Sequence, residues 1–175
     1  FWSDGGFVDE NVFAYSNFFQ GHAALVVYNN RFGDSSGWIK QSAPFLVKDG
    51  NEGQLHQSEL ADALQLHGNN DDLVLFRDNK SGMWFLRKLG EIRERGMHFD
   101  FQAYGHQVLL DFQVVNGPQF TSLYETYNGQ GIADLGGALE EIIHTPLLQP
   151  LRAAINPQTL KGLSKPVLQD GESKI

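Results

Sequence analysis

Apolar and polar residues alternate with a period of two along much of the first hundred or so positions, a pattern typical of half-buried β-strands. The clearest case is residues 97–104, where apolar side chains at odd positions alternate with polar ones at even positions. Residues 23–28 form a nearly continuous apolar run, which predicts a strand buried on both faces and paired in a hairpin with residues 11–16. Residues 107–115 are predicted to return from 97–104 as the second strand of a hairpin, across a two-residue Gly105-His106 turn.

Helical periodicity is found at two places in the chain. Leu60, Ala61 and Leu64 form an apolar stripe behind Ser58, which is a plausible N-cap, so one helix is predicted inside the strand-rich region. Beyond Gly117-Pro118 the apolar period becomes helical. A first helix is predicted to end near Asn128, with its apolar stripe at Phe120, Leu123, Tyr124 and Tyr127. A second helix is predicted to begin at an Asp134 cap, with its apolar stripe at Leu135, Ala138, Leu139, Ile142 and Ile143. Pro146 and Pro150 are predicted to separate a third helical stretch from the second.

These patterns predict a mainly β fold. Residues 1–117 are expected to form an antiparallel β-sandwich with one inserted helix, and residues 118–163 a short α-helical extension that packs on the sandwich or on a neighbouring domain. Residues 164–175 are charged and polar without a period, so they are expected to form a flexible tail.

Composition narrows the classes of function. The 175 residues carry a formal net charge of -8, which argues against a nucleic-acid or anionic-membrane partner. The chain has no cysteine, so it has neither a disulfide framework nor a thiol nucleophile, and with no visible signal peptide this favours the cytoplasm. It has 13 Phe, five Tyr and three Trp, an aromatic content that suits a β-rich core. Because the chain starts with Phe1 rather than Met, we expect it to derive from a longer parent.

Short catalytic motifs are missing from the sequence. It contains no G-x-S-x-G, no G-x-x-x-x-G-K-[ST] or strand-linked G-x-G-x-x-G, and no H-E-x-x-H.

The predicted 97–115 hairpin would create one polar cluster. With a Gly105-His106 turn, Asp100 faces Asp111 on the polar side and His98 lies one step along. Like charges directly opposite each other are unfavourable, and a shared proton or a cation such as Ca²⁺ would relieve them. His98, Asp100 and Asp111 are therefore the candidate metal ligands. The alternatives are a different strand register or a carboxylate pair tolerated in water.

Tryptophans beside amides and charges suggest a second kind of site. Asn29, Asn30 and Arg31 precede Trp38, and residues 78–80 precede Trp84. Sugars stack on exposed aromatic faces, so Trp38, Trp84 and Tyr104 are candidate ligand-binding residues. The alternative is that these aromatic side chains fill the core or a contact with a neighbouring domain.

Several segments, in this order, resemble the region that follows the barrel in a bacterial branch of the α-amylase superfamily of glycoside hydrolases. The segments are 11–16 (NVFAYS), 24–32 (ALVVYNNRF), 37–42 (GWIKQS), 75–78 (LFRD) with 81–82 (SG), 95–104 (RGMHFDFQAY), 108–112 (VLLDF) and 123–131 (LYETYNGQG). The resemblance implies an all-β domain that packs on a catalytic (β/α)8 barrel, which carries the family's two aspartates and one glutamate. It also implies that the neighbouring domain on which the 118–163 extension could pack is that barrel. A barrel needs about 250 residues, so no catalytic residue is assigned to this chain.

The expected function is therefore that of a C-terminal accessory β-domain of an α-amylase-family hydrolase acting on α-glucans. The chain alone is not expected to catalyse hydrolysis, and its expected partner is the barrel of the same parent protein. Two alternatives remain open, namely a stand-alone carbohydrate-binding module and a protein-interaction domain without a ligand.

Overall fold

The computed structural model describes residues 1–49 and 52–155, and strands predominate in it. Within those residues there are ten strands and four helices. They are β1 (Trp2–Ser3), β2 (Val12–Phe19), β3 (His22–Asn29), β4 (Ser35–Ile39), β5 (Phe45–Asp49), β6 (Glu52–His56), α1 (Leu60–Ala63), β7 (Leu73–Asp78), β8 (Trp84–Lys88), α2 (Leu89–Arg95), β9 (Met97–Phe101), β10 (His106–Val115), α3 (Pro118–Tyr127) and α4 (Leu135–Ala154).

Two antiparallel sheets enclose the main core. The larger sheet has the strand order β2-β3-β10-β7-β8, and the smaller has the order β1-β4-β9; β5 and β6 form a separate hairpin. Buried side chains from both sheets and from α1 and α2 share one cluster: Val12, Ala23, Leu25, Val27, Ile39, Leu60, Ala61, Leu64, Leu66, Val74, Phe76, Leu89, Ile92, Met97, Phe99, Phe101, Leu109 and Phe112. The predicted mainly β, antiparallel sandwich with helices is confirmed.

The β2–β3 hairpin forms as predicted, with longer strands. All eight residues of β2 pair with β3, from Val12 opposite Asn29 to Phe19 opposite His22. Gln20 and Gly21 both have positive φ, as a two-residue type I′ turn requires. The prediction that β3 is buried on both faces is wrong, because its odd residues face the core while its even residues face outward and stay partly exposed.

The predicted β9–β10 hairpin is also wrong. β9 buries Met97, Phe99 and Phe101 as its alternation predicts, but it pairs with β4 in the smaller sheet. β10 pairs with β3 and β7 in the larger sheet. The chain crosses between sheets at residues 102–105, because alternation specifies which face of a strand is buried and not which strand lies beside it.

A bulge changes which residues of β10 face the core. The register with β7 shifts between Leu110 and Gln113, and Asp111 takes a positive φ of 59°. The sequence pattern predicted that the even positions from Val108 to Val114 face the core, and this prediction is correct only after the bulge. Before the bulge the buried residue is Leu109, and after the bulge it is Phe112.

The helices agree in part with the sequence patterns. α1 is short and starts after Glu59 without a side-chain cap, so Ser58 is not its N-cap, and α2 was not predicted. α3 ends at Tyr127, close to the predicted end, and its C-cap Asn128 adopts a left-handed conformation. Asp134 caps α4 by accepting a hydrogen bond from the Gly137 N–H, at 3.0 Å.

α3 and α4 cover one half of the larger sheet's outer face. They enclose a second apolar cluster with β7 and β8: Leu73, Leu75, Leu86, Leu123, Ile132 and Ala138. α4 continues through Pro146 and Pro150 instead of dividing there. The two prolines lie four residues apart, so the backbone hydrogen bonds they remove fall on one side of the helix.

The predicted tail at 164–175 lies outside the described residues. Among the described helices, not one has the length and apolar character needed to cross a bilayer.

The turn from α2 into β9 yields a test of the sheet assignment. Gly96 has a φ of +81°, and a Cβ there would strike the carbonyl oxygen of Ile39 in β4. Gly82 also has a positive φ, of 72°, but open space around it. Gly96→Ala should therefore lower the free energy of unfolding by about 3 kcal/mol or more, against about 1 kcal/mol for Gly82→Ala, as measured by urea denaturation. Equal losses in the two variants would contradict the close approach of β4 to this turn.

Candidate functional site

Asp100 and Asp111 lie on different sheets, so the predicted pairing of these carboxylates is wrong. Asp100 is opposite Ser36 in the smaller sheet. Asp111, at the bulge of β10, forms an ion pair with Arg77 in which its Oδ2 lies 2.9 Å from Nη2 and 3.0 Å from Nε. The charge that neutralises Asp111 is therefore a guanidinium of the neighbouring strand.

Three strands bring a different set of polar side chains together. Ser36 and Trp38 of β4 are paired with Asp100 and His98 of β9, and the buried residues of these strands alternate with them. Asp4 follows β1 directly and donates its backbone N–H to the Ser36 carbonyl, at 2.9 Å. We call Asp4, Ser36, His98 and Asp100 the polar cluster; it lies on the outer face of the smaller sheet.

Short contacts join all four members of the polar cluster. The Ser36 hydroxyl lies 2.6 Å from Asp4 Oδ2 and 2.5 Å from Asp100 Oδ1. His98 Nε2 lies 2.9 Å from Asp4 Oδ2, and its Nδ1 lies 3.5 Å from Asp100 Oδ2. The cluster therefore places an imidazole and a hydroxyl between two carboxylates.

Hydrogen bonding favours the charged form of Asp4. The hydrogen bond from Ser36, followed by that from His98, lowers the pKa of Asp4 from its ordinary value; slight desolvation opposes this shift, and His98 charge and the Trp38 indole add to it. A carboxyl group with a lowered pKa is ionised at neutral pH. Asp4 is therefore an anion that can attract a cation.

Buried Asp9 fastens the N-terminal segment that carries Asp4. Its carboxylate accepts hydrogen bonds from the backbone and side-chain N–H groups of Asn11, both at 3.0 Å, and from Ser35 Oγ at 2.9 Å. Arg31 lies 3.7 Å away. Burial by itself raises the pKa of Asp9, but these hydrogen bonds and the Arg31 charge outweigh it, so the pKa is lowered. Because Ser35 belongs to β4, Asp9 ties the segment to the smaller sheet.

The three candidate sugar-stacking residues lie apart from one another. The guanidinium carbon of Arg95 lies 4.7 Å from the centroid of the Trp38 ring, and His98 packs against that ring edge-on. Trp84 is on the other sheet, where its backbone pairs with Ile132 beside α4. Tyr104 is exposed in the crossing between the sheets. These three residues therefore do not form one binding platform.

A cavity of about 270 Å³ opens between the edges of the two sheets, beside Trp38 and His98. Its rim includes Arg87, Glu91 and Gln107, and its floor is the aromatic core. Pockets for drug-sized ligands have volumes of about 300–1,000 Å³, so this cavity is too small to enclose an oligosaccharide.

Sequence reasoning found His98 and Asp100 but missed Asp4 and Ser36. Asp4 is 94 residues from His98 along the chain, and no local pattern connects residues so far apart. Alternation alone places Ser36 and Trp38 on one face of β4, and His98 and Asp100 on one face of β9. This pattern predicts the cluster only if the pairing of β4 with β9 is already known.

No family model, curated protein or solved structure matches this chain. The resemblance to the α-amylase superfamily therefore stays a prediction.

Substitution of Asp9 tests whether it fastens the N-terminal segment. The pKa of Asp9 in the folded chain lies below its value of about 3.9 in the unfolded chain. Ionised Asp9 therefore stabilises the fold fully at pH values above the unfolded-state pKa. This stabilisation is lost as the pH falls through the folded-state pKa. Asp9→Asn should lower the free energy of unfolding by about 1–3 kcal/mol at pH 7. The difference from wild type should shrink below about pH 4.

Urea denaturation between pH 7 and pH 2.5 measures this dependence. Asp71→Asn, in an exposed loop, is the matched control, and its unfolding free energy should stay within about 0.5 kcal/mol of wild type. Coincident curves for the Asp9 and Asp71 variants would contradict the role given to Asp9.

Proposed function

We propose that this chain is the C-terminal accessory β-domain of an α-amylase-family glycoside hydrolase that acts on α-glucans. In this proposal it packs against the catalytic (β/α)8 barrel of the same parent protein and stabilises it. The observation that carries the proposal is an uncovered aromatic surface on the larger sheet.

That surface lies on the outer side of β2 and β3. We call Phe13, Tyr15, Phe19, Val26 and Tyr28 the outer aromatic face. Phe13 is paired with Tyr28, and their rings stack with centroids 5.3 Å apart. Tyr15 is paired with Val26. Tyr15 is 58% exposed and Phe19 66% exposed, which is unusual for aromatic side chains at the centre and end of a long sheet strand.

The two halves of the larger sheet's outer face differ in how far they are covered. α3 and α4 bury the outer residues of β7 and β8, whereas Phe13, Tyr15 and Phe19 on the outer side of β2 stay 45%, 58% and 66% exposed. Full burial of one large apolar side chain is worth about 1.5–3 kcal/mol. A contiguous apolar patch of this kind marks an interaction surface. An accessory domain that packs on a barrel needs such a second apolar face in addition to its own core.

The resemblance supplies the identity of the partner. The segments that resemble the post-barrel region of the α-amylase superfamily include 11–16 and 24–32, which overlap β2 and β3, the strands that carry the outer aromatic face. The catalytic carboxylates that this family uses on α-glucans belong to the barrel. The role proposed for this chain is structural, so the purified 175 residues should not hydrolyse maltooligosaccharides.

A binding measurement tests the packing. The segment encoded immediately before Phe1 and this chain are produced as separate polypeptides, and their affinity is measured by biolayer interferometry. The double variant Phe13→Lys/Tyr15→Lys should weaken binding by at least tenfold, because two exposed apolar contacts become charges. Phe32→Lys, at an 88% exposed aromatic residue on another part of the surface, is the matched control and should leave binding unchanged.

Two results would overturn the proposal. One is an upstream reading frame that does not encode a barrel-sized sequence. The other is equal weakening by the Phe32 variant and the double variant. Circular dichroism of each variant checks that the sandwich remains folded.

A stand-alone carbohydrate-binding module is the second candidate, and one observation favours it. Phe32 and Tyr104 are both strongly exposed, and their ring centroids lie 6.4 Å apart. Exposed aromatic pairs can hold a sugar ring by stacking. Electrophoresis in a native gel containing glycogen should then show retardation that Tyr104→Ala abolishes. Unchanged mobility of the wild-type chain in gels with glycogen or starch would contradict this candidate.

A further inference from the structure

We propose that Asp4, His98 and Asp100 bind a divalent transition-metal ion of the Zn²⁺ class on the outer face of the smaller sheet. This inference is independent of the proposed function, because all its ligands belong to this chain. It replaces the predicted Asp100–Asp111 cation site with a set of residues that the strands place together.

The donor atoms are close enough to share an ion. One nitrogen of His98 and one carboxylate oxygen from each of Asp4 and Asp100 all lie within 4.8 Å of one another. Zn²⁺ takes nitrogen and carboxylate ligands at about 2.0–2.2 Å, so its ligand atoms lie about 3.5 Å apart. Rotation of the exposed Asp100 side chain covers that difference without any movement of the strands.

A count of protons shows what the polar cluster lacks. Ser36 Oγ is within 2.6 Å of one oxygen of Asp4 and one of Asp100, yet a hydroxyl carries a single proton. When both carboxylates are ionised, one of these two short contacts therefore has no hydrogen between its oxygens. A cation held by both carboxylates removes the repulsion.

The backbone fixes the ligands before an ion arrives. Asp100 and His98 are on adjacent outward positions of β9, and Asp4 is held to β4 by its own backbone hydrogen bond. The Trp38 ring packs against the His98 imidazole at 4.9 Å between centroids, which limits its rotation. This contact orients the imidazole within the cluster.

The chemistry of the donors selects the class of ion. Imidazole suits Zn²⁺ and other late transition metals, whereas Ca²⁺ and Mg²⁺ prefer oxygen ligands in larger numbers. Two carboxylates balance a doubly charged ion. Three protein ligands leave a fourth tetrahedral position for Ser36 or water. The ion would tie Asp4, beyond β1, to β9 across β4.

Isothermal titration of the full chain with ZnCl₂, after removal of metals with EDTA, tests the proposal. We expect one Zn²⁺ per chain, and His98→Gln and Asp100→Asn should each weaken binding at least tenfold. His22→Gln and Asp71→Asn make the same chemical changes at exposed positions outside the cluster and should leave affinity unchanged. Zn²⁺ should also raise the melting temperature of the wild-type chain and not that of Asp100→Asn.

Three results would overturn the proposal. The first is the absence of saturable Zn²⁺ binding. The second is Zn²⁺ affinity that is unchanged in both His98→Gln and Asp100→Asn. The third is binding of Ca²⁺ as tight as that of Zn²⁺. Melting curves in EDTA show whether each variant is folded. A folded double variant, Asp4→Asn/Asp100→Asn, repeats the test of the second result, and it should not bind Zn²⁺.

Discussion

Burial of one face of β9 against the larger sheet is the constraint on which the rest of the structure depends. Met97, Phe99 and Phe101 enter the core between the sheets, where Phe99 and Phe101 lie with ring centroids 5.8 Å apart. Because side chains alternate along a strand, this burial turns His98 and Asp100 outward. The same apolar contact that closes the sandwich therefore presents the polar cluster to solvent.

The two outer faces of the sandwich have different chemistry. The larger sheet carries the outer aromatic face on β2 and β3, which suits an apolar protein partner. The smaller sheet carries carboxylates and an imidazole at the junction of three strands, which suits a cation. Association through one face leaves the other accessible, so the proposed accessory role and the proposed metal site do not compete for the same residues.

Local patterns predicted much of the fold. The β2–β3 hairpin, α3 and the Asp134 cap of α4 follow from periodicity and turn residues within about twenty positions of each other. Pairing between distant strands did not follow, because an alternating segment shows which face is buried and not its neighbour. The bulge at Asp111 has no signature in the apolar pattern of the sequence. Because of it, Leu109 is buried in place of the predicted Leu110. The site was half predicted for the same reason: His98 and Asp100 share a strand, but Asp4 and Ser36 join them only through tertiary pairing.

Engineered disulfides test the pairing of β9 with β4 most directly, because the chain has no native cysteine. Residues directly opposite in antiparallel strands have Cβ atoms about 4.5–5.5 Å apart, close to the range that a disulfide accepts. Ser36→Cys/Asp100→Cys should oxidise to an intramolecular disulfide in the folded chain, detected as a loss of free thiol and a mobility shift. Asp100→Cys/Asp111→Cys should keep both thiols free. Rapid disulfide formation in the second variant and not in the first would contradict the account.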